Sequence, residues 1–288
     1  EINSGNSTNY SIDTVKHFLK ERPNEKIYYL IGLDQVNEFH RWRKPDELSS
    51  LAQIIYFERP NYQISERNIK KYHMIKVNGE CSKAASSDIR QLKSMDLPFG
   101  VIEYIETHCI YYMSKFHSFL SEDRFNHSLQ VAHLAYQIAK SNNLDIEKAY
   151  IAGLFHDIGK DVSLEEKLSI MENYFPEYKH LAKFAYHQFV GSYIAKNDFE
   201  ISDESILNAI KFHATGNGQM DWLAKIVYAA DKIEPTRGFD SSDLIQAMMD
   251  NYETGFEIVL QANKDFLENE RKDINNELTC KCFEEYLK

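Results

Sequence analysis

The chain has 288 residues, of which 43% are apolar and 27% charged, and its formal net charge is -11 with a sequence pI near 5.5. This length and composition predict two globular domains, each large enough for a core of its own. The acidic balance argues against nucleic acid and anionic membranes as partners, although a bound metal can reverse the local field for a small polyanion.

Segments for export or membrane insertion are not indicated. No stretch approaches the roughly 20 apolar residues of a membrane span, and no signal segment opens the chain. The cysteines (Cys81, Cys109, Cys280 and Cys282) lack the spacing of a secreted disulfide framework. We therefore expect a cytoplasmic protein, with a homodimer left open. Because the first residue is Glu1 rather than Met, we also expect the chain to begin partway through a longer gene product.

The first part of the chain alternates between helix and strand signals. Residues 14–22 predict a short helix, and the apolar run at 27–33 suits a buried parallel strand. Further strands are predicted at 53–57 and 73–77. This alternation favours an α/β domain with a parallel sheet, which we place at residues 1–112.

After Pro98 the apolar residues fall at helical spacings, and we place a second, all-helical domain at residues 113–288. Gly159 is expected to stop one of its helices, and Gly191 to allow close approach in the next. The helices predicted to carry functional residues are 124–140, 146–158, one around His187, 206–213 and 222–234.

These helices each bring a histidine or an aspartate to a buried face: His127, His156, Asp157, His187, His213 and Asp231. A single inward histidine is usually a satisfied core residue. Burying all six groups without partners would cost several kcal/mol for each charge, whereas metal coordination satisfies them together. Imidazole and carboxylate ligands suit Fe, Mn, Co or Zn. Six ligands suffice for two ions about 3.5 to 4 Å apart if Asp157 bridges them, which predicts a metal-activated hydroxide and phosphoester or phosphoanhydride hydrolysis.

The same residues lie in longer strings: RFNH at 124–127, HDIGK at 156–160, FHATG at 212–216 and ADKIEPTR at 230–237. With His187 between them, these strings resemble the bacterial HD-domain symmetrical diadenosine tetraphosphate hydrolases over about residues 115–288. The resemblance implies an HD-domain helical bundle, two metal ions with iron as the first expectation, and cleavage of diadenosine tetraphosphate to two ADP. It further implies that His127, His156, Asp157 and Asp231 hold one ion, and that Asp157, His187 and His213 hold the other.

Two basic residues complete the predicted catalytic set of His156, Asp157, Lys160 and Arg237. Lys160 and Arg237 would contact substrate phosphates as charge-assisted donors beside the metals, and the alternative for each is a solvated surface charge. Asp161 and Glu234 could assist proton transfer. We interpret both as helix-end or loop carboxylates and leave them outside the set.

Residues 1 to about 110 resemble the second part of bacterial nicotinate-nucleotide adenylyltransferases. The resemblance rests on YSIDT at 10–14, IGLD at 31–34, HRWRK at 40–44 and SSDIR at 86–90. It implies a partial nucleotide-binding, Rossmann-like α/β domain in which Thr14, Trp42, Ser87 and Arg90 would serve nucleotide binding, with Trp42 on the pyridine ring. A helix start, a packed aromatic residue and an N-cap are the alternatives for Thr14, Trp42 and Ser87.

The family's first strand and its H-x-G-H phosphate-binding loop are missing from this sequence. The chain as it stands should therefore not transfer adenylate, whereas an intact protein with that part would be a fused bifunctional enzyme. Three functions stay open: a dinucleoside polyphosphate hydrolase, another HD phosphatase or phosphodiesterase, and an adenylyltransferase with a fused HD domain that could be a mere scaffold.

Overall fold

A computed structural model describes residues 9–57, 64–78, 86–270 and 276–287 of the chain. The chain forms two compact units, Glu1–Lys83 and Ala84–Lys288. The second unit begins before the predicted domain boundary at residues 112 and 113. The reason is packing, because apolar residues that precede this boundary belong to the core of the helical unit: Ile89, Leu92, Met95, Ile102 and Ile105.

The first unit contains a parallel sheet of three strands in the order β1-β2-β3 within its described residues. Leu30 of β1 pairs with Ile55 of β2, which pairs with Ile75 of β3. The predicted parallel strands are thereby confirmed, although β3 is short. The elements are α1 (Ser11–Glu21), β1 (Tyr28–Gly32), α2 (Leu33–Glu38), a 3-10 turn (Phe39–Arg41), α3 (Pro45–Leu51), β2 (Gln53–Phe57), α4 (Glu66–Lys71) and β3 (Ile75–Lys76).

Strand β1 is buried on one face, which corrects the expectation of a fully buried strand. Ile31 points into the core with Leu33 and Val36, whereas the side chains of Tyr28 and Leu30 are 56% and 52% exposed. Successive side chains of a strand point to opposite faces, so an apolar run is buried on both faces only when layers cover both. Among the described residues the core forms on one side of this strand.

The second unit is helical in its described residues, which confirms the helical prediction for this part. Its largest core joins side chains from nearly every helix around the pair α8 and α9, which pack along each other. The elements are α5 (Ser86–Arg90), α6 (Phe99–Thr107), α7 (Tyr112–His117), α8 (Glu122–Ser141), α9 (Ile146–Phe155), α10 (Leu164–Tyr174), 3-10 turns (Pro176–Tyr178 and Lys183–Ala185), α11 (Tyr186–Asp198), α12 (Glu204–Phe212), α13 (Trp222–Ile233), a 3-10 turn (Pro235–Arg237), α14 (Ser242–Asp250), α15 (Tyr252–Asn269) and α16 (Glu277–Tyr286).

Helix α9 ends earlier than the sequence predicts. It finishes at Phe155, so His156 is its C-cap residue and Asp157 lies in the turn that follows. Gly159 serves close approach instead of stopping the helix, because a Cβ atom there would lie 2.4 Å from the carbonyl oxygen of His187. In the described residues, no helix combines the length and apolar character needed to cross a membrane.

Candidate metal centre

The six predicted ligands converge at the centre of the helical unit. His127 is carried by α8, His156 and Asp157 by the end of α9, His187 by the first turn of α11, His213 by the end of α12, and Asp231 by α13. All five elements are helices that pack against one another, and this packing brings the six side chains together. Five of the six side chains are buried, and His127 is partly exposed: His156, Asp157, His187, His213 and Asp231 form the buried set.

The first group of ligand atoms surrounds the imidazole of His127. Its Nε2 atom lies 3.1 Å from Oδ1 of Asp231 and 3.3 Å from Nε2 of His156. His156 Nε2 in turn lies 3.6 Å from Oδ1 of Asp231 and 3.8 Å from Oδ2 of Asp157. His127, His156 and Asp157 offer three atoms within 4.8 Å of one another, which is a spacing that one ion can span.

The second group contains Asp157, His187 and His213, whose ligand atoms also lie within 4.8 Å of one another. Oδ1 of Asp157 is 3.2 Å from Nε2 of His187 and 3.3 Å from Nε2 of His213. The two histidine nitrogens are 3.2 Å apart. Asp157 therefore turns Oδ2 toward the first group and Oδ1 toward the second, as a bridging carboxylate would.

Each histidine is held by an oxygen at its other ring nitrogen. The Nδ1 atoms of His156, His187 and His213 lie 2.7, 2.6 and 2.8 Å from the carbonyl oxygens of Gly153, Phe184 and Ile210. Carbonyl oxygens accept, so these Nδ1 atoms carry the proton and leave Nε2 as a lone pair. Metal-binding histidines are held in the same way.

The donor set fits a cation. With Nδ1 protonated, the lone pairs of His187 and His213 face each other across 3.2 Å and would repel each other without positive charge between them. Two nitrogens that share an ion at about 2.1 Å, at right or tetrahedral angles, lie about 3.0 to 3.4 Å apart. These residues therefore could hold one or two divalent ions, and they present the nitrogen and oxygen donors that Fe, Mn, Co and Zn accept.

Protonation states in the cluster agree with this chemistry. Burial lowers the pKa of His213 to about 3 and also lowers the pKa of His187, so both rings are neutral near pH 7. Burial alone would raise the pKa of Asp157, but the facing histidines hold it well below its usual range. Burial alone would also raise the pKa of Asp231, but Lys232, His127 and His156 hold it well below its usual range. These four groups are thus in the forms that bind metal. Burial alone would lower the pKa of His156, but Asp157 and Asp231 raise it, so an ion bound there would displace a proton from this ring.

Both predicted phosphate-binding residues lie at the edge of the cluster. Lys160 Nζ is 3.5 Å from Oδ1 of Asp157 and 3.3 Å from Nε2 of His187. Arg237 donates from Nε to the carbonyl oxygen of Asp231 at 2.7 Å, and its Nη2 contacts the carboxylate of Asp231. Each side chain is more than a third exposed, so both cations border the ligands and still reach the solvent.

Glu234 was left outside the predicted set, yet it is 1% exposed and contacts a ligand. Its Oε1 lies 3.1 Å from Nδ1 of His127, so His127 is oriented by a carboxylate where the other three histidines use carbonyl oxygens. Thr236 donates to this carboxylate from both its backbone nitrogen and its hydroxyl. The signal was present in the sequence, because Glu234 follows Asp231 by three residues in the ADKIEPTR string.

Gln188 is a second residue that the sequence analysis missed. It is fully buried, and its Oε1 accepts hydrogen bonds from the backbone nitrogens of Ala214 and Thr215, while its Nε2 donates to the hydroxyl of Thr215. Gln188 follows His187, and the loop that it holds follows His213. One amide therefore couples the positions of two histidines in the second group. Neither spacing nor periodicity indicates this contact.

A cavity of about 1100 Å³ opens over the cluster. Ligand pockets typically have volumes of about 300 to 1,000 Å³, so this cavity has room for a drug-sized or somewhat larger ligand. Although the protein carries a net charge of -11, the cavity wall is rich in cations. They are Arg124, Lys160, Lys167, Lys183, Lys232 and Arg237.

The four nucleotide-binding candidates lie in both units. In the first unit, Thr14 directs its hydroxyl to the carbonyl oxygen of Tyr10 at 3.5 Å, and the half-buried Trp42 packs its ring 5.0 Å from that of Phe39. In the second unit, Ser87 and Arg90 share the short helix α5 and are exposed. These contacts agree with the structural alternatives and leave the binding roles as predictions.

Comparison with known proteins places this site in a class. The HD domain family model matches residues 124–236, which include all six candidate ligands. A solved structure titled as a predicted HD superfamily hydrolase involved in NAD metabolism, from Clostridium acetobutylicum, matches with 30% identity and a TM-score of 0.52, covering 66% of this chain and 97% of that one. The chain is an HD-superfamily enzyme.

Relatives matched over longer stretches narrow the family. A Mycoplasma genitalium protein named "Probable nicotinate-nucleotide adenylyltransferase/Ap4A hydrolase" is 33% identical over 88% of this chain and 74% of its own length. The symmetrical bis(5'-nucleosyl)-tetraphosphatase of Bacillus subtilis is 35% identical over 45% of this chain and 70% of its own length. The chain belongs to the family of the nicotinate-nucleotide adenylyltransferase/Ap4A hydrolase proteins.

Proposed function

We propose that the helical unit hydrolyses diadenosine tetraphosphate symmetrically to two ADP at a dinuclear metal site, with iron as the first candidate metal. The observation that carries the proposal is the position of Asp157, whose two oxygens face two separate histidine groups. The tetraphosphatase and Ap4A hydrolase names of the relatives support the choice of substrate.

The residues of this chain have distinct roles in that reaction. Bound ions would supply a hydroxide nucleophile and stabilise charge on the phosphoryl oxygens. His127, His156, Asp157 and Asp231 would hold one ion, while Asp157, His187 and His213 would hold the other. Lys160 and Arg237 donate to phosphate oxygens from the cavity side, where their charges offset the polyphosphate. A substrate with four phosphates spans more cations than a monophosphate can, which matches the six cations of the wall.

The test is product analysis with metal-loaded protein. Hydrolysis of diadenosine tetraphosphate should yield ADP as the sole nucleotide. Water attacks one of the two central phosphorus atoms and breaks its bond to the central bridging oxygen. Release of ATP with AMP would contradict the symmetrical reaction. Preferred turnover of a nucleoside monophosphate or a cyclic dinucleotide would favour another HD phosphatase or phosphodiesterase.

A ligand variant separates enzyme from scaffold. His156→Ala should lose both bound metal and hydrolysis, since His156 contacts three other ligands at 3.3 to 3.8 Å. If the helical unit were only a scaffold, the wild-type protein and the variant would both fold, and neither would bind metal. Elemental analysis of the wild-type protein after dialysis gives the first answer and identifies the metal.

A second candidate function belongs to residues 1–112, which include the whole first unit. Its parallel sheet and its match to relatives named nicotinate-nucleotide adenylyltransferase support descent from that enzyme. We propose that residues 1–112 contribute to adenylate transfer in a protein that carries the H-x-G-H loop. Formation of a dinucleotide from ATP and nicotinate mononucleotide, and its loss in Trp42→Ala, is the test of this role.

A further inference from the structure

Three phenylalanine side chains on the cavity wall are more than half exposed to solvent. Phe184, Phe239 and Phe266 have exposed fractions of 57%, 51% and 51%, and all three line the cavity above the metal ligands. Single exposed apolar residues are common on protein surfaces. Metal chemistry does not explain why three aromatic rings line one cavity beside six cations.

Two of these residues are close in the chain to different parts of the cluster, and one of them has a backbone contact with a ligand. The carbonyl oxygen of Phe184 accepts the hydrogen bond from Nδ1 of His187 at 2.6 Å, so the backbone of Phe184 adjoins the second ligand group. Phe239 follows Arg237 by two residues, and Arg237 binds the carbonyl oxygen and carboxylate of Asp231 in the first group. Each ligand group therefore has one exposed ring close to it along the chain.

We propose that Phe184 and Phe239 are stacking platforms for the two nucleobases of the substrate, one beside each ligand group. This inference rests on the proposed function and goes beyond it by naming specificity-determining residues. An aromatic face stacks on any nucleobase, whereas the polyphosphate between the bases needs cations and metal. A ligand with a base at each end and a charged centre matches a cavity wall that carries both aromatic rings and cations.

The arrangement also explains how a symmetrical cut could be selected. Stacking both bases holds the phosphate chain at its two ends, so its centre lies over the ligands. A nucleotide with one base would engage one ring and lose the contribution of the other. Removal of a stacking ring weakens nucleic-acid-type ligands by about 5- to 150-fold for each base.

The experiment measures binding and turnover separately. Isothermal titration of the metal-loaded protein with ADP should give two sites per chain, and with inorganic pyrophosphate weaker binding that is insensitive to the rings. Phe184→Ala and Phe239→Ala should each weaken one ADP site about tenfold and leave pyrophosphate binding unchanged. The KM for diadenosine tetraphosphate should rise about tenfold in each variant and about a hundredfold in the double variant, with kcat less affected, because rings without shared contacts act independently.

Further variants separate stacking from packing. Phe184→Leu keeps apolar bulk without an aromatic face and should behave as the alanine variant, whereas Phe184→Tyr should retain wild-type affinity. Tyr174→Ala removes a ring with the same 57% exposed fraction that is not part of the cavity wall, and it should change nothing. Metal content is measured in every variant, so a lost ligand is recognised directly.

Several results would overturn the inference. One is equal affinity of the wild-type protein for ADP and pyrophosphate, whether or not the protein hydrolyses diadenosine tetraphosphate. Another is unchanged nucleotide affinity in the variants together with altered self-association in sedimentation, which would assign the rings to contact between copies. Absence of ADP among the products, with nucleotide binding that still depends on the rings, would instead reject the proposed reaction and leave the base platforms standing.

Discussion

The four histidines of the centre differ in how their rings are oriented. In three of them Nδ1 donates to a backbone carbonyl oxygen, whereas Nδ1 of His127 contacts the carboxylate of Glu234. A carboxylate raises the basicity of the imidazole that it contacts and fixes its tautomer. Glu234 is therefore a candidate positioning residue, which would act on a bound metal through His127.

Glu234→Gln should weaken metal binding about 10- to 100-fold, because the amide lacks the charge that makes His127 a stronger donor. Metal titration with a competing chelator measures the change. Glu165→Gln, at an exposed position in the first turn of α10, is the matched control and should bind metal as the wild-type protein does. Equal affinities in the two variants would show that Glu234 has no influence on the ligand.

Gly159 offers a second residue-scale test. An added Cβ would lie 2.4 Å from the carbonyl oxygen of His187 and 2.7 Å from the backbone nitrogen of Gly191, so Gly159→Ala must push α11 away. We expect a loss of about 1 to 3 kcal/mol in the free energy of unfolding and weaker metal binding, since His187 moves with α11.

Gly100→Ala provides the contrast. Its Cβ would meet nothing within 4 Å on helix α6. This variant should gain about 0.5 to 1 kcal/mol, because alanine favours helix. Denaturant unfolding of both variants decides the comparison. A Gly159 variant as stable as the Gly100 variant would mean that the two backbones have room to separate.

At the scale of elements, three ligand-bearing helices begin with an aspartate cap. The side chains of Asp145, Asp203 and Asp221 accept hydrogen bonds from the first backbone nitrogens of α9, α12 and α13. Such caps define where a helix begins and therefore which of its residues reach the centre. The last residues of these helices carry the ligands, so an error in the starting position would displace them.

Asp203 allows this contribution to be measured against pH. Burial would raise the pKa of its carboxyl, but Lys148 and the backbone nitrogens of Ile206 and Ser205 lower it below the ordinary value of 3.8. A lowered pKa in the folded state stabilises the protein above pH 3.8, and this contribution is lost as the pH falls through the folded-state pKa.

Asp203→Ala should therefore cost about 1 kcal/mol at pH 7, with the difference from wild type shrinking below pH 3.8. Asp203→Asn keeps the helix cap without the charge. This variant should retain most of the free energy of unfolding and lose the part of its pH dependence that comes from the Asp203 carboxyl. Urea unfolding at a series of pH values measures both. A constant difference between wild type and Asp203→Ala down to pH 2 would contradict the assignment.

At the scale of the whole molecule, the two compact units should respond differently to metal. A ligand that binds the folded state alone stabilises it by about 2.7 kcal/mol at a free concentration 100 times its Kd. The six candidate ligands all belong to the unit Ala84–Lys288. Metal should accordingly raise the unfolding temperature of that unit by about 5 to 10 °C and leave the other transition in place.

Calorimetry with and without a chelator tests this expectation. His156→Ala should abolish the metal-dependent shift, whereas His108→Ala, at an exposed position outside the cluster, should preserve it. A shift that is equal in both variants would place the stabilising ion elsewhere in the protein.

The sequence by itself determined the identity of the candidate ligands and the helices that carry them. These follow from periodicity, caps and short motifs, which depend on residues near one another in the chain. The spacing of the apolar residues also placed His127, His187 and Asp231 on inward faces, and the structure brings His127 to Asp231 and His187 to His213.

Tertiary structure alone decided what depends on residues distant in the chain. Only the fold shows that Glu234 contacts Nδ1 of His127 and that the two oxygens of Asp157 face different histidine groups. The fold also shows the hydrogen bond between Gln188 and the loop after His213. It also moved the boundary between the units ahead of α5 and left one face of β1 exposed. Packing between helices selects these arrangements, and no local pattern in the chain specifies which side chains will meet.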